Sequence, residues 1–114
     1  MYYNYTIESI IKVIDSETIY AEIDLGFGVY IKRRIKLFGV DAPKTPAIDK
    51  AEKARRKESK KFLKELIANT EEPIYLKSYD VDKYGTVLGE IIINGTSASK
   101  TIIAEGQFGY AELQ

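Results

Sequence analysis

"IKLFGVDAPKT", residues 35–45, carries a strand pattern straight into a break. Ile35 and Leu37 point to one side and Lys36 to the other, the period-2 alternation of a half-buried strand. Pro43, followed by Pro46, then forbids a helix and pushes the residues before each proline into extended backbone. Upstream, the alternation runs back through "VYIKRRIKLF", residues 29–38. Val29, Ile31, Ile35 and Leu37 share the apolar face, and Lys32, Arg34 and Lys36 the polar one. Arg33 falls on the apolar face, so a bulge or strand end is expected beside it.

Working outward, residues 18–24, "TIYAEID", alternate cleanly, and "LGFG" supplies two glycines for a reversal. The two segments should form a hairpin. "YTIESIIKVI", residues 5–14, is rich in β-branched residues and reads as a first strand ended by "DSET". Residues 50–68 read as a helix with Ala51, Ala54, Phe62, Leu63, Leu66 and Ile67 on one face and basic residues over the rest. "IYLKSY", 74–79, and "TVLGEIII", 86–93, are further strands around a turn at "DVDKYG". "NG" at 94–95 signals a tight turn before a short helix, with Ser97 as its N-cap and Gly106 past its end. Phe108 and Tyr110 in the tail are expected to pack back on the body. The order is three strands, helix, two strands, short helix. It predicts a mainly β, α+β fold: a five-stranded OB-fold Greek-key barrel with a helix between strands 3 and 4, residues 1–114 forming one domain.

Composition narrows the chemistry. Lys plus Arg and Asp plus Glu number 17 each, so no global field draws the 114-residue chain to a polyanion. The basic run at 50–64 reads as a solvated helix face laced with i,i+4 pairs such as Glu52–Arg56. There is no Cys and no His, which removes thiol nucleophiles, imidazole bases and soft metal sites. Chemistry must rest on carboxylates, Lys, Arg, Tyr and hydroxyls, and a bound metal would be a hard cation with oxygen ligands. Neither a signal peptide nor a membrane-length apolar run is visible, so a cytoplasmic location is expected.

Four separated pieces resemble one family. "VIDSET" is similar to its V-D-G-D-T turn, and "IKLFGVDAPK" to R-L-x-G-I-D-A-P-E. "DKYGTVLGEI" is similar to D-K-Y-G-R-x-L-A-x-I, and "IIAEGQFGYAE" to L-V-x-x-G-x-A-x-V. In that order and spacing the chain resembles a staphylococcal nuclease (thermonuclease) homologue. The "IDLGFGVYIK" hairpin resembles that of phage-encoded members.

The resemblance implies a Ca²⁺ site at Glu17, Asp41 and the carbonyl of Ala42, with Asp15 close by. Glu17 stands where the family has an aspartate, so its carboxylate reaches one methylene further. Two phosphate-gripping arginines of the family fall at Lys36 and Thr86. Lys36 keeps a charge without the planar fork, and Thr86 keeps neither charge nor reach. The family's general base falls at Lys44, where a phosphodiester would hold the ammonium in its charged form. Lys36, Lys44 and Thr86 are thus the family's catalytic positions, and they carry no working set. Arg34, Lys36, Lys83 and Tyr84 remain suited to holding a phosphate backbone and stacking a base.

The expectation is a monomeric module that binds single-stranded DNA or RNA, does not act at membranes, and is inactive or strongly impaired as a Ca²⁺-dependent nuclease. Two alternatives stay open: an active but atypical Ca²⁺-dependent endonuclease, and a protein-interaction module that keeps only the fold.

Overall fold

The computed structural model describes residues 2–41, 50–104 and 109–110. In chain order the elements are β1 (Tyr3–Val13), β2 (Thr18–Gly26), β3 (Val29–Leu37), β4 (Val40–Asp41), α1 (Lys50–Ala68), β5 (Ile74–Val81), β6 (Val87–Ile93), β7 (Thr96–Ser97), α2 (Ala98–Ala104) and β8 (Gly109–Tyr110). The main sheet runs β3-β2-β1-β5-β6-β7, and β3 also pairs with β6. That last pairing closes five strands into a mixed barrel, the OB-fold arrangement expected from the element order.

The alternation read from the sequence sets which side chains go inside. Ile19, Ala21 and Ile23 of β2, Ile35 and Leu37 of β3, and Val87, Ile91 and Ile93 of β6 are buried. Ile7 and Val13 of β1 and Leu76 of β5 join the same core, and α1 covers it with Leu63. The β2–β3 hairpin turns through Gly26, Phe27 and Gly28, all three at positive φ. The Asp24 carboxylate accepts the Gly26 N–H at 2.8 Å and steadies its start. Asn94 and Gly95 are likewise both at positive φ, the geometry that "NG" favours between β6 and β7.

At the closing seam, β6 also packs closely on β5 at Gly89. The parallel register pairs Ile35 with Val87 and Leu37 with Gly89, and the Phe38 N–H donates to the Gly89 carbonyl at 2.8 Å. On the other edge of β6, Ser78 pairs with Gly89 while Tyr79 forms a bulge. A β-carbon at Gly89 would lie 2.6 Å from the Lys77 carbonyl oxygen and 3.0 Å from Leu76 Cδ1. Only glycine fits between those atoms. The bulged Tyr79 turns its hydroxyl to Glu90 at 2.9 Å and its ring to Phe38, 4.6 Å between centroids.

Several local expectations are revised. Arg33 has no bulge: β2 and β3 stay in register from Thr18–Lys36 to Asp24–Tyr30. Val29 is exposed, because it sits at the hairpin end beyond the core. On α1, Ala54 is exposed and Ser59 is buried. Ala54 lies nine residues from Leu63, about two and a half turns, and so on the opposite side of the helix. Ser97 does occupy the position before α2, yet its buried hydroxyl has no hydrogen-bond partner among the described residues and so supplies no cap. The tail does return: β8 pairs with β4, Tyr110 opposite Val40 and Gly109 opposite Asp41. Gly106 and Phe108 lie outside the described residues.

Replacing Gly89 with Ala forces the β-carbon into the Lys77 carbonyl. The expected loss is about 2–3 kcal/mol, at the upper end for overpacked interiors. Urea unfolding of the two proteins measures it.

Candidate nucleic-acid interface

The outer face of the β2–β3 hairpin carries the chemistry. Register places Tyr20 directly opposite Arg34, Glu22 opposite Lys32 and Thr18 opposite Lys36. Lys12 of β1 extends the Tyr20–Arg34 row by one strand. Lys32 and Arg34 are exposed and Lys36 is half-buried.

Facing this surface is the turn between β5 and β6. Asp82 builds it. Its Oδ1 accepts the backbone N–H groups of Tyr84 and Thr86, each at 2.9 Å. Its own N–H donates to the Thr86 carbonyl at 2.9 Å, and its carbonyl accepts from Gly85 N–H at 3.0 Å. Gly85 takes φ +86°, which an L side chain rarely adopts. The result is a pinned turn that holds Tyr84 outward, 81% exposed, with Lys83 Nζ 5.2 Å from its ring centroid.

Between hairpin and turn lies a cavity of about 360 Å³, lined by Tyr20, Lys32, Arg33, Arg34, Tyr84, Gly85 and Thr86. Among the described residues, three cations and two phenol rings line it, and no carboxylate does. Cations attract phosphates, and aromatic faces accept stacked bases without regard to sequence.

The structure therefore gathers Arg34, Tyr84 and Thr86, with Lys83 on the Tyr84 ring. Lys36 stands two residues further along β3, outside the cavity lining. Beyond it, the Glu17 carbonyl accepts the Leu37 N–H at 2.7 Å, which fixes Glu17 beside the end of β3. Asp15 Oδ1 accepts the Glu17 N–H at 2.9 Å and shapes that turn. Asp41 follows in β4, opposite Gly109. Ala42 and Lys44 lie outside the described residues. Among the described residues no three acidic side chains form a metal-binding group.

Sequence reading missed Tyr20 and Arg33 as members of the cavity. Tyr20 was within reach, since the glycine hairpin fixes its register against Arg34. Arg33 was not, because its place depends on where β3 meets the distant turn.

An OB barrel with a basic, aromatic cleft on its strand 2–3 face belongs to a common class of nucleic-acid-binding folds. The comparison with protein families narrows that class: residues 34–113 match the model for "staphylococcal nuclease homologue". The match covers well over half of the chain, which thus belongs to the staphylococcal nuclease homologue family. No curated protein gives a significant match. No helix among the described residues is long and apolar enough to cross a membrane.

Asp82→Ala removes the acceptor shared by two backbone amides. At about 0.5–1.5 kcal/mol for each hydrogen bond, and less at an exposed turn, stability should fall by about 1 kcal/mol. Hydrogen exchange should locate the loss at the Tyr84 and Thr86 amides, with the barrel strands unaffected.

Proposed function

We propose that this chain binds the phosphodiester backbone of single-stranded DNA or RNA in the cleft between β3 and the 82–86 turn, and that it cleaves nucleic acid very weakly or not at all. The observation that carries the reading is the cleft's lining of Lys32, Arg33 and Arg34 with Tyr20 and Tyr84. Two neighbouring acids stand outside the lining: Asp82 is committed to the turn, and Glu22 stands across from Lys32. A polyanion entering the cleft meets charge of one sign, and its bases meet two rings.

Impaired cleavage follows from three positions. Lys44 is a cation where the family's base stands, Thr86 presents no guanidinium, and Lys36 offers a point charge in place of a fork. A general base contributes about 10²–10⁴ and a charge-stabilising donor about 10²–10³, so even with strong non-additivity most of the acceleration is gone. The oxygen donors of Glu17, Asp41 and the Ala42 carbonyl, with Asp15 nearby, are of the type that suits Ca²⁺. Bound there, Ca²⁺ would supply Lewis-acid stabilisation of a phosphoryl oxygen. The protein side would still present a phosphate to Arg34 and Lys36, with Lys44 where the family's base stands.

The decisive comparison is the wild-type chain against a triple variant carrying Lys36→Arg, Lys44→Glu and Thr86→Arg. Both are incubated with single-stranded DNA and RNA at millimolar Ca²⁺. The wild type should leave the substrate intact, and the triple variant should give EDTA-sensitive cleavage. Robust EDTA-sensitive cleavage by the wild type would sink the reading.

A further inference from the structure

Three consecutive residues, Lys32, Arg33 and Arg34, line one cleft, although side chains along a strand alternate between faces. Arg33 is the exception that needs explaining. Its parity is that of Ile31 and Ile35, and it pairs across β2 with buried Ala21. It would point into the barrel if the wall opposite were complete. The β3–β6 ladder, however, begins only at Ile35 and Val87. Arg33 therefore stands just outside the closed ring, level with the turn that precedes β6.

There its side chain is positioned. Nη1 donates to the Lys32 carbonyl at 2.9 Å, and Nε lies 3.4 Å from where a β-carbon on Gly85 would be. That distance places the guanidinium against the turn, whose Gly85 is called for by its φ of +86°. Lys32 and Arg34 arrive from the other face of the same strand and bring two more positive charges to the cleft. A guanidinium has five N–H donors, and among the described residues one is used. A planar fork with like-charged neighbours and no carboxylate among the described lining residues is suited to an oxyanion held through two N–H groups.

We propose that Arg33 is the principal phosphate ligand of this cleft, gripping one backbone phosphate of a single-stranded nucleic acid at the 84–86 turn while Tyr20 and Tyr84 flank it. The assignment rests on the binding reading above. It puts a guanidinium beside Thr86, so the turn keeps a fork although residue 86 does not carry one. Arg33 reaches that place from another strand and from the inward register.

The test uses fluorescence anisotropy with a labelled oligothymidylate of about 12 nucleotides, within the ~4–16-nucleotide footprint of an OB-fold. Affinity is measured from about 50 to 200 mM salt for the wild type, Arg33→Gln, Arg33→Lys and Arg34→Gln. Arg33→Gln should weaken binding by about tenfold or more and reduce the salt slope by about 0.7, the value of one phosphate contact on a single strand. Arg33→Lys should keep the slope but lose about three- to tenfold in affinity, because the charge remains and the fork does not. Arg34→Gln should lose less than Arg33→Gln. Thermal melting should be unchanged throughout, since both arginines are exposed. If Arg33→Gln does alter melting, Arg33→Lys alone decides.

Salt-dependent wild-type binding with an unchanged Arg33→Gln slope, or with Arg33→Lys binding as tightly as wild type, overturns the assignment and leaves the binding reading intact. Wild-type protein with no salt-dependent binding overturns both.

Discussion

The parallel pairing of β3 with β6 is the constraint on which the rest of this molecule depends. It joins a strand from the first half of the chain to one from the second. All the other pairings within the barrel are antiparallel. On its other edge, β6 meets β5 so closely at Gly89 that no β-carbon would fit. The β3–β6 pairing turns a curved sheet into a barrel and buries Ile35, Leu37 and Val87 at the seam. It also stops short. Where the ladder ends, the wall opens between Arg33 and the turn at Gly85, and the cleft is that opening. Fold and site thus share one cause: the register that seals the core at Leu37 and Gly89 also places the charges of β3 beside Tyr84 and Thr86.

The electrostatics follow from placement. Acids and bases cancel over the whole chain, so net charge gives no hint of a polyanion site. Along β3 they do not cancel. The outward positions are Lys32, Arg34 and Lys36, and Arg33 joins them from the other parity. Glu22 opposes Lys32 across the hairpin, but Arg34 faces Tyr20 and Lys36 faces Thr18. Exposed like charges of this kind cost little in water and salt. They become useful when a ligand with the opposite charge excludes some of that water.

Much of this architecture is legible in the sequence because it is written locally. The alternation of "TIYAEID" fixes the inner face of β2, and the paired glycines of "LGFG" and the "NG" dipeptide fix two reversals. The span of α1 was readable to the residue from its periodicity and flanking breakers. What was not legible depends on contacts between distant segments. Ala54 has the right chemistry for a core face, but half a turn of phase puts it outside, and Ser59, i−4 from Leu63, is buried instead. Arg33 looked like a flaw in a strand pattern, because the sequence does not say where β6 begins to cover β3. Ser97 looked like a cap, but its hydroxyl is buried without a partner among the described residues, which propensity does not anticipate.

The turn at 82–86 keeps its shape without help from the side chain at position 86. Its shape is set by the Asp82 carboxylate, by backbone hydrogen bonds and by the positive φ of Gly85. The side chain of residue 86 contributes to none of these; only its amide and carbonyl do. The side chain at 86 can therefore differ without disturbing the turn. Lys36 is equally separable: its backbone belongs to both the β2 and β6 ladders, while its side chain is on the outer face. Asp82, Gly85 and Gly89 set the backbone, while the side chains of Lys36 and Thr86 take no part in these contacts. Because the two sets do not overlap, the fold can be kept while the residues on its outer face differ.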